Sequence, residues 1–222
     1  MRMRRKKNLG QRLEGCGEYL ITLPRRNLDS RCDEAVDLLD CHKIFDNNNE
    51  IQIEIGCGKG RFITGIAKKN PQINFFAIEK SDNVIVEACE KAINAGIRNV
   101  RFLNIGAEYL LRYFPRHSVG RIYLNFSCPY PKKGYANHRL TNPKFLEIYK
   151  QILKSDGEIH QKTDNQGLFE YSIENLTCCG FKLKNISLDL HNSGFENNTI
   201  TEYEEKFAGL GKNIYRLEAF LQ

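Results

Sequence analysis

From Glu50 onward, short runs of β-branched and aromatic residues alternate with stretches whose apolar positions repeat at helical spacing. The strand-like runs cover 51–55, 74–78, 100–105, 120–126 and 157–163. Between them, Phe62, Ile63, Ile66 and Ala67 draw one helical stripe, and Val84, Ile85, Ala88, Cys89, Ala92 and Ile93 draw a second that ends near Gly96. Phe145, Leu146, Tyr149, Ile152 and Leu153 make a third behind Pro143, whose fixed φ and missing N–H suit a first helical turn. Leu168, Phe169, Ile173 and Leu176 make a fourth, stopped by Gly180. Each apolar face has to be buried, and alternating strands and helices do so by forming a mainly parallel sheet with helices on both faces, an α/β fold. Residues 1–48 break this rhythm. They are polar and basic, with one apolar patch, Ala35-Val36-Asp37-Leu38-Leu39, that reads as a single helix, and Asn47-Asn48-Asn49 closes them. The expected organisation is a basic N-terminal extension over 1–48 and one α/β domain over 49–222.

Composition narrows this picture without changing it. The 222 residues suit one domain with an ordinary core, and an apolar share of 41% disfavours a disordered or fibrous class. No apolar run approaches the roughly 20 residues that span a bilayer. The basic start, Met1-Arg2-Met3-Arg4-Arg5-Lys6-Lys7, lacks the apolar stretch and cleavage site of a secretory signal, so a cytoplasmic protein is expected. The net charge of +6 is unevenly placed, because Arg2, Arg4, Arg5, Lys6, Lys7 and Arg12 all precede the first acid, Glu14. Such a block is either a solvated tail or an arm that neutralises nucleic-acid phosphates, and its thin apolar face argues against a membrane surface. Eight cysteines, at 16, 32, 41, 57, 89, 128, 178 and 179, include no C-x-x-C pair that would pre-position thiolates for zinc. Reduced, mostly buried thiols and no metal are expected.

The first chemistry-bearing feature is the turn Glu54-Ile55-Gly56-Cys57-Gly58-Lys59-Gly60, between the first strand and the first stripe. Glycine serves where the backbone turns sharply and a ligand approaches closely, although an ordinary tight turn also uses it. The dinucleotide fingerprint fails here, since its third glycine would fall at Arg61, and no phosphate-binding loop fits around Lys59. Glu79 ends the second strand about 20 residues beyond Gly58, where a carboxylate accepts ribose hydroxyl protons. Glu54 would repel pyrophosphate but tolerate a sulfonium or amino group. A cofactor with ribose and positive charge but no phosphate meets these conditions, and S-adenosylmethionine is such a molecule.

Four stretches taken together resemble one family: Glu54-Ile55-Gly56-Cys57-Gly58-Lys59-Gly60, Asn125-Phe126-Ser127-Cys128-Pro129-Tyr130-Pro131-Lys132-Lys133, Lys162-Thr163-Asp164, and Thr201-Glu202-Tyr203-Glu204-Glu205-Lys206-Phe207. From the turn to the C-terminus the chain resembles the bacterial tRNA (guanine-N7-)-methyltransferases, and the start, Met1-Arg2-Met3-Arg4, is similar too. The first stretch is common to many methyltransferases, whereas the other three, in this order and spacing, are far more specific. The resemblance implies a Rossmann-like class I methyltransferase fold. It also implies transfer of a methyl group from S-adenosylmethionine to N7 of guanosine 46 in the tRNA variable loop. Carried over by motif, Glu54, Gly56, Gly58, Glu79 and the backbone at Gly106 would hold the cofactor. Lys132, Asp164, Thr201, Glu202, Tyr203 and Glu204 would contact the substrate, and a loop over 134–139 with Lys133 and Arg139 would face the RNA. Partners other than tRNA, a membrane or a metal are not implied, and monomer and homodimer both remain open.

Two positions depart from the family pattern. Cys128 stands where the family usually has a catalytic-motif aspartate, and Gly106 where it commonly has another. Glu108 is a nearby carboxylate able to compensate, and Tyr130 keeps an aromatic face where the family has tryptophan. Guanine N7 carries a free lone pair and loses no proton on methylation, so the displacement needs alignment more than a base, and Cys128 reads as an orienting or structural thiol rather than a nucleophile. Asp164, Glu202 and Glu204 suit the N1–H and N2–H donors of guanine's Watson–Crick edge, and a solvated acidic loop is the plainer account of the last two. Tyr130 or Tyr203 would stack on the base, or simply line a rim. Lys132, Lys133 and Arg139 would meet phosphates, or remain solvated. His138 and His160 read as structural. Two rivals to the main reading are an amino-group (N6-adenine) methyltransferase, from the likeness of 125–131 to an Asn-Pro-Pro-Tyr motif, and an RNA-binding protein of this fold that has lost catalysis.

Overall fold

The computed structural model describes residues 6–23, 37–196 and 198–221, with the backbone alone at Glu202. Seven strands form one sheet: β1 Glu50–Ile55, β2 Ile73–Ile78, β3 Val100–Leu103, β4 Val119–Asn125, β5 Leu153–Thr163, β6 Lys182–Ser187 and β7 Tyr215–Phe220. Their order is β3-β2-β1-β4-β5-β7-β6. The first five pair in parallel, and β7 lies antiparallel between β5 and β6. The described helices are α1 Leu9–Glu14, α2 Cys41–Phe45, α3 Arg61–Lys69, α4 Asp82–Asn94, α5 Leu110–Tyr113, α6 Pro143–Ile152, α7 Gln166–Cys178 and α8 Glu202–Ala208.

The stripes foreseen from sequence cover the two faces of the sheet. On one face, Phe62, Ile63 and Ala67 of α3 and Ile85, Ala88, Cys89 and Ala92 of α4 pack on Phe75, Ala77 and Phe102. On the other, Phe145, Leu146, Tyr149 and Ile152 of α6 and Phe169 and Leu176 of α7 pack on Ile53, Phe76, Ile122, Leu124 and Ile159. Burying both faces explains why the central strands read as nearly continuous apolar runs.

Several boundaries differ from expectation. The strand foreseen over 100–105 ends at Leu103, and the one over 120–126 ends at Asn125, where Phe126 leaves the extended range with a left-handed φ of 50°. Leu153, expected in a helix, starts β5 instead. The two antiparallel strands β6 and β7 were not foreseen. The helix expected at 35–39 is corrected: Ala35 and Val36 lie outside the described residues, and 37–39 is not helical. Asp37 N and Leu39 N donate to the carbonyls of Arg112 (3.3 Å) and Tyr113 (2.8 Å), while Arg112 grips the Asp37 carboxylate at 2.8 and 2.7 Å. A helix starts only after Asp40, whose side chain accepts from Lys43 N at 3.2 Å as an N-cap. Residues 6–23 lie against the β3 side of the domain: Arg12 of α1 pairs bidentately with Glu90 of α4 at 2.7 and 2.6 Å, and Leu20 bridges to Phe102.

Candidate active site

A cavity of about 1490 Å³ opens across the C-terminal ends of β1, β2, β4 and β5 and the loop after β3. Open α/β sheets bind ligands at this edge, where strand order reverses and helices leave for opposite faces. Here the reversal falls between β1 and β4.

Glu54, on the last turnward face of β1, is 2% exposed and accepts from Asn125 Nδ2 of β4 at 2.9 Å. The backbone then turns sharply, with Gly56 and Gly58 at φ 79° and 56°, values that side chains rarely adopt. A Cβ on either would project into open space, so the backbone is bare toward the cavity. Gly60 serves packing instead: a Cβ there would lie 2.7 Å from the Cβ of Ala88, so only glycine lets α3 start so close to α4. Gly56 N and Cys57 N donate to Ile78 O at 2.7 and 3.0 Å, tying the turn to the end of β2. Cys57 faces inward, and burial, with Glu54 and Glu79 adding to it, pushes its thiol well above the usual range. Glu79 is half-buried on the cavity wall, accepting from Ser81 N at 3.0 Å. Gly106 lines the same wall in an extended conformation.

The far wall is the segment after β4. Phe126 and Tyr130 both hold positive φ, 50° and 41°, a cost of order 1–3 kcal/mol each that surrounding contacts have to offset. One such contact is Arg139, whose Nε and Nη2 donate to the carbonyls of Pro129 (2.9 Å) and Tyr130 (3.0 Å) and whose guanidinium lies 4.4 Å from the Tyr171 ring centroid. Arg139 is thereby half-buried inside its own loop. Lys132 and Lys133 are exposed outside the cavity. Cys128 is exposed on its wall, and His138 stands exposed beside the rings of Tyr130 and Tyr135 rather than in the core.

The third side comes from the end of β5 and from α8. Asp164 lines the cavity and accepts from Lys212 Nζ at 2.9 Å. Thr201 is the N-cap of α8: its hydroxyl accepts from Glu204 N at 2.9 Å, and the Glu204 carboxylate reaches back to Thr201 N at 3.4 Å. This reciprocal capping box buries Glu204 completely, and Lys162 Nζ meets its carboxylate at 2.6 Å. Burial pulls Lys162 below its ordinary pKa, and Glu204 opposes that shift. Thr201 and Tyr203 line the cavity, whereas Glu204 lies behind it. Glu202 begins the helix. Tyr203, 53% exposed, stacks with Phe126 and Phe207 at centroid distances of 6.2 and 6.1 Å, which makes an aromatic rim at the mouth.

Outside the cavity, His160 sits on β5 with Nε2 2.7 Å from Glu158 and 3.9 Å from Glu218. Burial, then the charge of Arg121, pushes it down to about 4, so it is neutral at ordinary pH. The two carboxylates are also engaged by Arg121, Lys184 and Arg216, and cations in that number oppose a metal ion among these three residues. Of the cysteines, 16, 57 and 89 are buried, 41 and 179 half-buried, and 128 and 178 exposed, all unbridged; Cys32 lies outside the described residues.

The site residues singled out by motif therefore divide. Glu54, Gly56, Gly58, Glu79, Gly106, Cys128, Asp164, Thr201 and Tyr203 share one cavity. Lys132, Lys133, Arg139 and Glu204 do not line it, and Glu202 is described by its backbone alone. Asn125, Phe126 and Phe207 belong to the cavity wall without having been singled out, though all three stand inside the motif stretches.

The chain is similar to known proteins in sequence and in fold. Residues 48–217 match the family model described as "Putative methyltransferase". The tRNA (guanine-N(7)-)-methyltransferase of Streptococcus suis (strain 05ZYH33) is 43% identical over 222 residues, which covers 100% of both chains. The enzyme of the same name from Macrococcus caseolyticus (strain JCSC5402) is 53% identical over 175 residues, 79% of this chain and 83% of its own. Among solved structures, the 16S rRNA methyltransferase KamB gives a TM-score of 0.63 at 15% identity, covering 84% of this chain and 95% of that one. A SAM-dependent methyltransferase from Aquifex aeolicus gives 0.54 at 16% identity, covering 96% and 98%. At such low identity these two structures speak to the fold alone.

Proposed function

This chain belongs to the tRNA (guanine-N7-)-methyltransferase family, and from that premise we propose that it methylates N7 of a guanosine in the tRNA variable loop, guanosine 46, with S-adenosylmethionine as donor. The observation that carries the reading is the convergence of Glu54, the bare Gly56 and Gly58 backbone, Glu79, Asp164, Thr201 and Tyr203 on one cavity. Neither an RNA-binding protein without catalysis nor an N6-adenine methyltransferase is favoured by relatives that share the whole chain and bear the guanine-N7 name.

The residues present fit the cofactor. Side-chain-free backbone at Gly56 and Gly58 leaves room for close approach. Glu79 offers acceptors for ribose hydroxyls, and Glu54 supplies negative charge near a sulfonium or ammonium group. When bound, S-adenosylmethionine supplies an electrophilic methyl group, and the remaining work falls to the chain. Asp164 is the accessible carboxylate on the substrate side and would accept from guanine N1–H and N2–H, exchanging Lys212 for the base. Tyr203, with Phe126 and Phe207 behind it, offers a stacking face worth about 1–3 kcal/mol. Glu204 acts at one remove: paired with Lys162, it caps α8 and so fixes Thr201 and Tyr203 at the wall. Arg139 braces the loop that carries Cys128, and the exposed Lys132 and Lys133 are left for phosphates. Because N7 attacks with its own lone pair, holding the base in line suffices and no group has to remove a proton. A tRNA substrate implies action in the cytoplasm; among the described residues no helix is long and apolar enough to cross a membrane.

The test is incubation with labelled S-adenosylmethionine and unmodified tRNA, followed by digestion to nucleosides. Label in 7-methylguanosine is expected. Label in N6-methyladenosine, or cofactor binding with no transfer to any tRNA, would overturn the reading.

A further inference from the structure

Gly65 stands in the middle of α3, a place where glycine weakens a helix. A close approach accounts for it, since a Cβ there would lie 3.2 Å from Cγ2 of Thr199. One turn earlier, Arg61 pairs with the Glu205 carboxylate of α8. One turn later, Lys69 Nζ lies 3.4 Å from Thr199 Oγ1 and 3.5 Å from the Asn198 carbonyl. Positions 61, 65 and 69 are four residues apart, so they form one ridge along α3, and the segment 198–205 docks on that ridge. From the other side, Lys162 of β5 donates to Asn198 Oδ1 at 3.1 Å, to Thr199 O at 2.8 Å and to Glu204 at 2.6 Å. The segment is held between α3 and β5.

Both partners in this contact reach the cavity. α3 begins at the glycine turn: Gly60 is its N-cap, and the Thr64 hydroxyl and N–H both donate to Gly60 O, at 2.6 and 3.0 Å. Arg61 lines the cavity at that end, while Thr201 and Tyr203 line it from the docked segment. Glu205 is exposed and does not line the cavity, so its bond to Arg61 is made outside the proposed ligand sites. An exposed ion pair of this kind adds little to folding stability. What it fixes is a distance. The methyl donor is proposed at the glycine turn and the base at Tyr203, and displacement needs the reacting atoms in contact and in line. We infer that Arg61 and Glu205 are positioning residues for the transfer. With Gly65 and Lys69 they lock α8 to the helix that carries the cofactor turn, and so set where the base stands relative to the methyl group.

This inference rests on the tRNA methyltransferase reading, and the kinetics of the full chain separate the two. Absence of methyl transfer from S-adenosylmethionine to unmodified tRNA by the unaltered protein would sink the reading, and the inference with it. Given transfer, Glu205→Ala should lower kcat by about 10- to 100-fold, the range that a misplacement of about 1 Å commands. KM for tRNA, the Kd of S-adenosylhomocysteine by isothermal titration, and Tm should all stay close to those of the unaltered protein. Arg61→Ala should lower kcat as well, and the double variant should lose no more than the worse single, because the two residues serve one contact. Gly65→Leu disturbs the ridge without touching a charge. Its side chain meets Thr199 and should lower kcat with the cofactor Kd unchanged. An unchanged kcat in Glu205→Ala, losses that multiply in the double variant, or a fall in kcat matched by a rise in cofactor Kd would overturn the positioning role.

Discussion

At Cys128 the chain presents a thiol to the cavity, in a reaction whose acceptor loses no proton. If the wall there only aligns the base, Cys128→Ala should keep initial methylation rates within about tenfold, whereas removal of a general base typically costs 100- to 10,000-fold. A loss in that larger range would assign the thiol a chemical role. Other residues show how far one position can be read from its letters. Glu54 and Glu79 are legible because each ends a strand-like run, and the ends of parallel strands are where such folds bind ligands. Glu204 stands in an acidic run and looks like a reader of guanine, but its spacing from Thr201 is also Thr-x-x-Glu, the sequence of a capping box, and that local signal marks its structural engagement. Arg139 carries no such mark, since its bonds to Pro129 and Tyr130 depend on a loop with two positive-φ residues that no local pattern announces.

Elements divide the same way. The helices α3, α4, α6 and α7 were legible because each must present a continuous apolar stripe to the sheet. β6 was not, as Lys182, Lys184 and Asn185 make it a polar edge strand, interrupted by a positive φ at Asn185. β7 lies between two strands at the end of the chain, and its Arg216 and Glu218, buried as a pair, read as solvent-facing polar residues. Such pairings join residues far apart in sequence, as Lys162 with Glu204 or Asp164 with Lys212 do, and become visible only once the sheet is assembled. Lys162→Met should leave the fully buried Glu204 carboxylate without its lysine, with Asn198 and His191 still beside it, and lower the unfolding free energy by about 3 kcal/mol in denaturant titration. A change below about 1 kcal/mol would mean the pair behaves like a surface contact. On β5, His160 titrates at about 4 in the folded protein because burial, then Arg121, disfavours its cation, against about 6.5 when unfolded. Between those values the unfolded chain binds a proton that the native state refuses, so stability is full above about 6.5 and declines as pH falls toward 4. Denaturant titrations at pH 7 and pH 5 should show lower stability at pH 5, and His160→Gln should narrow the gap; an unchanged gap would clear His160 of the effect.

Over the whole molecule, the sheet places Glu54, Gly56, Gly58, Glu79 and Gly106 on the β1–β3 side and Asp164, Thr201 and Tyr203 on the β4–β5 side of one cavity, with Lys132 and Lys133 exposed outside it. A polyanion would be held by those lysines rather than by the cavity. Lys132→Ala should therefore weaken tRNA binding and reduce the slope of log affinity against log salt by about 1, measured by filter binding across salt concentrations. A slope that does not move would take Lys132 off the phosphate backbone. The reaction itself turns on a guanine N7 that receives the methyl group in this cavity. Its most direct measurement compares methyl incorporation into an unmodified tRNA transcript with incorporation into the same transcript carrying 7-deazaguanosine at the target position, where carbon replaces the nucleophilic nitrogen. Robust labelling of the first and none of the second is predicted. Equal labelling of both would contradict the account.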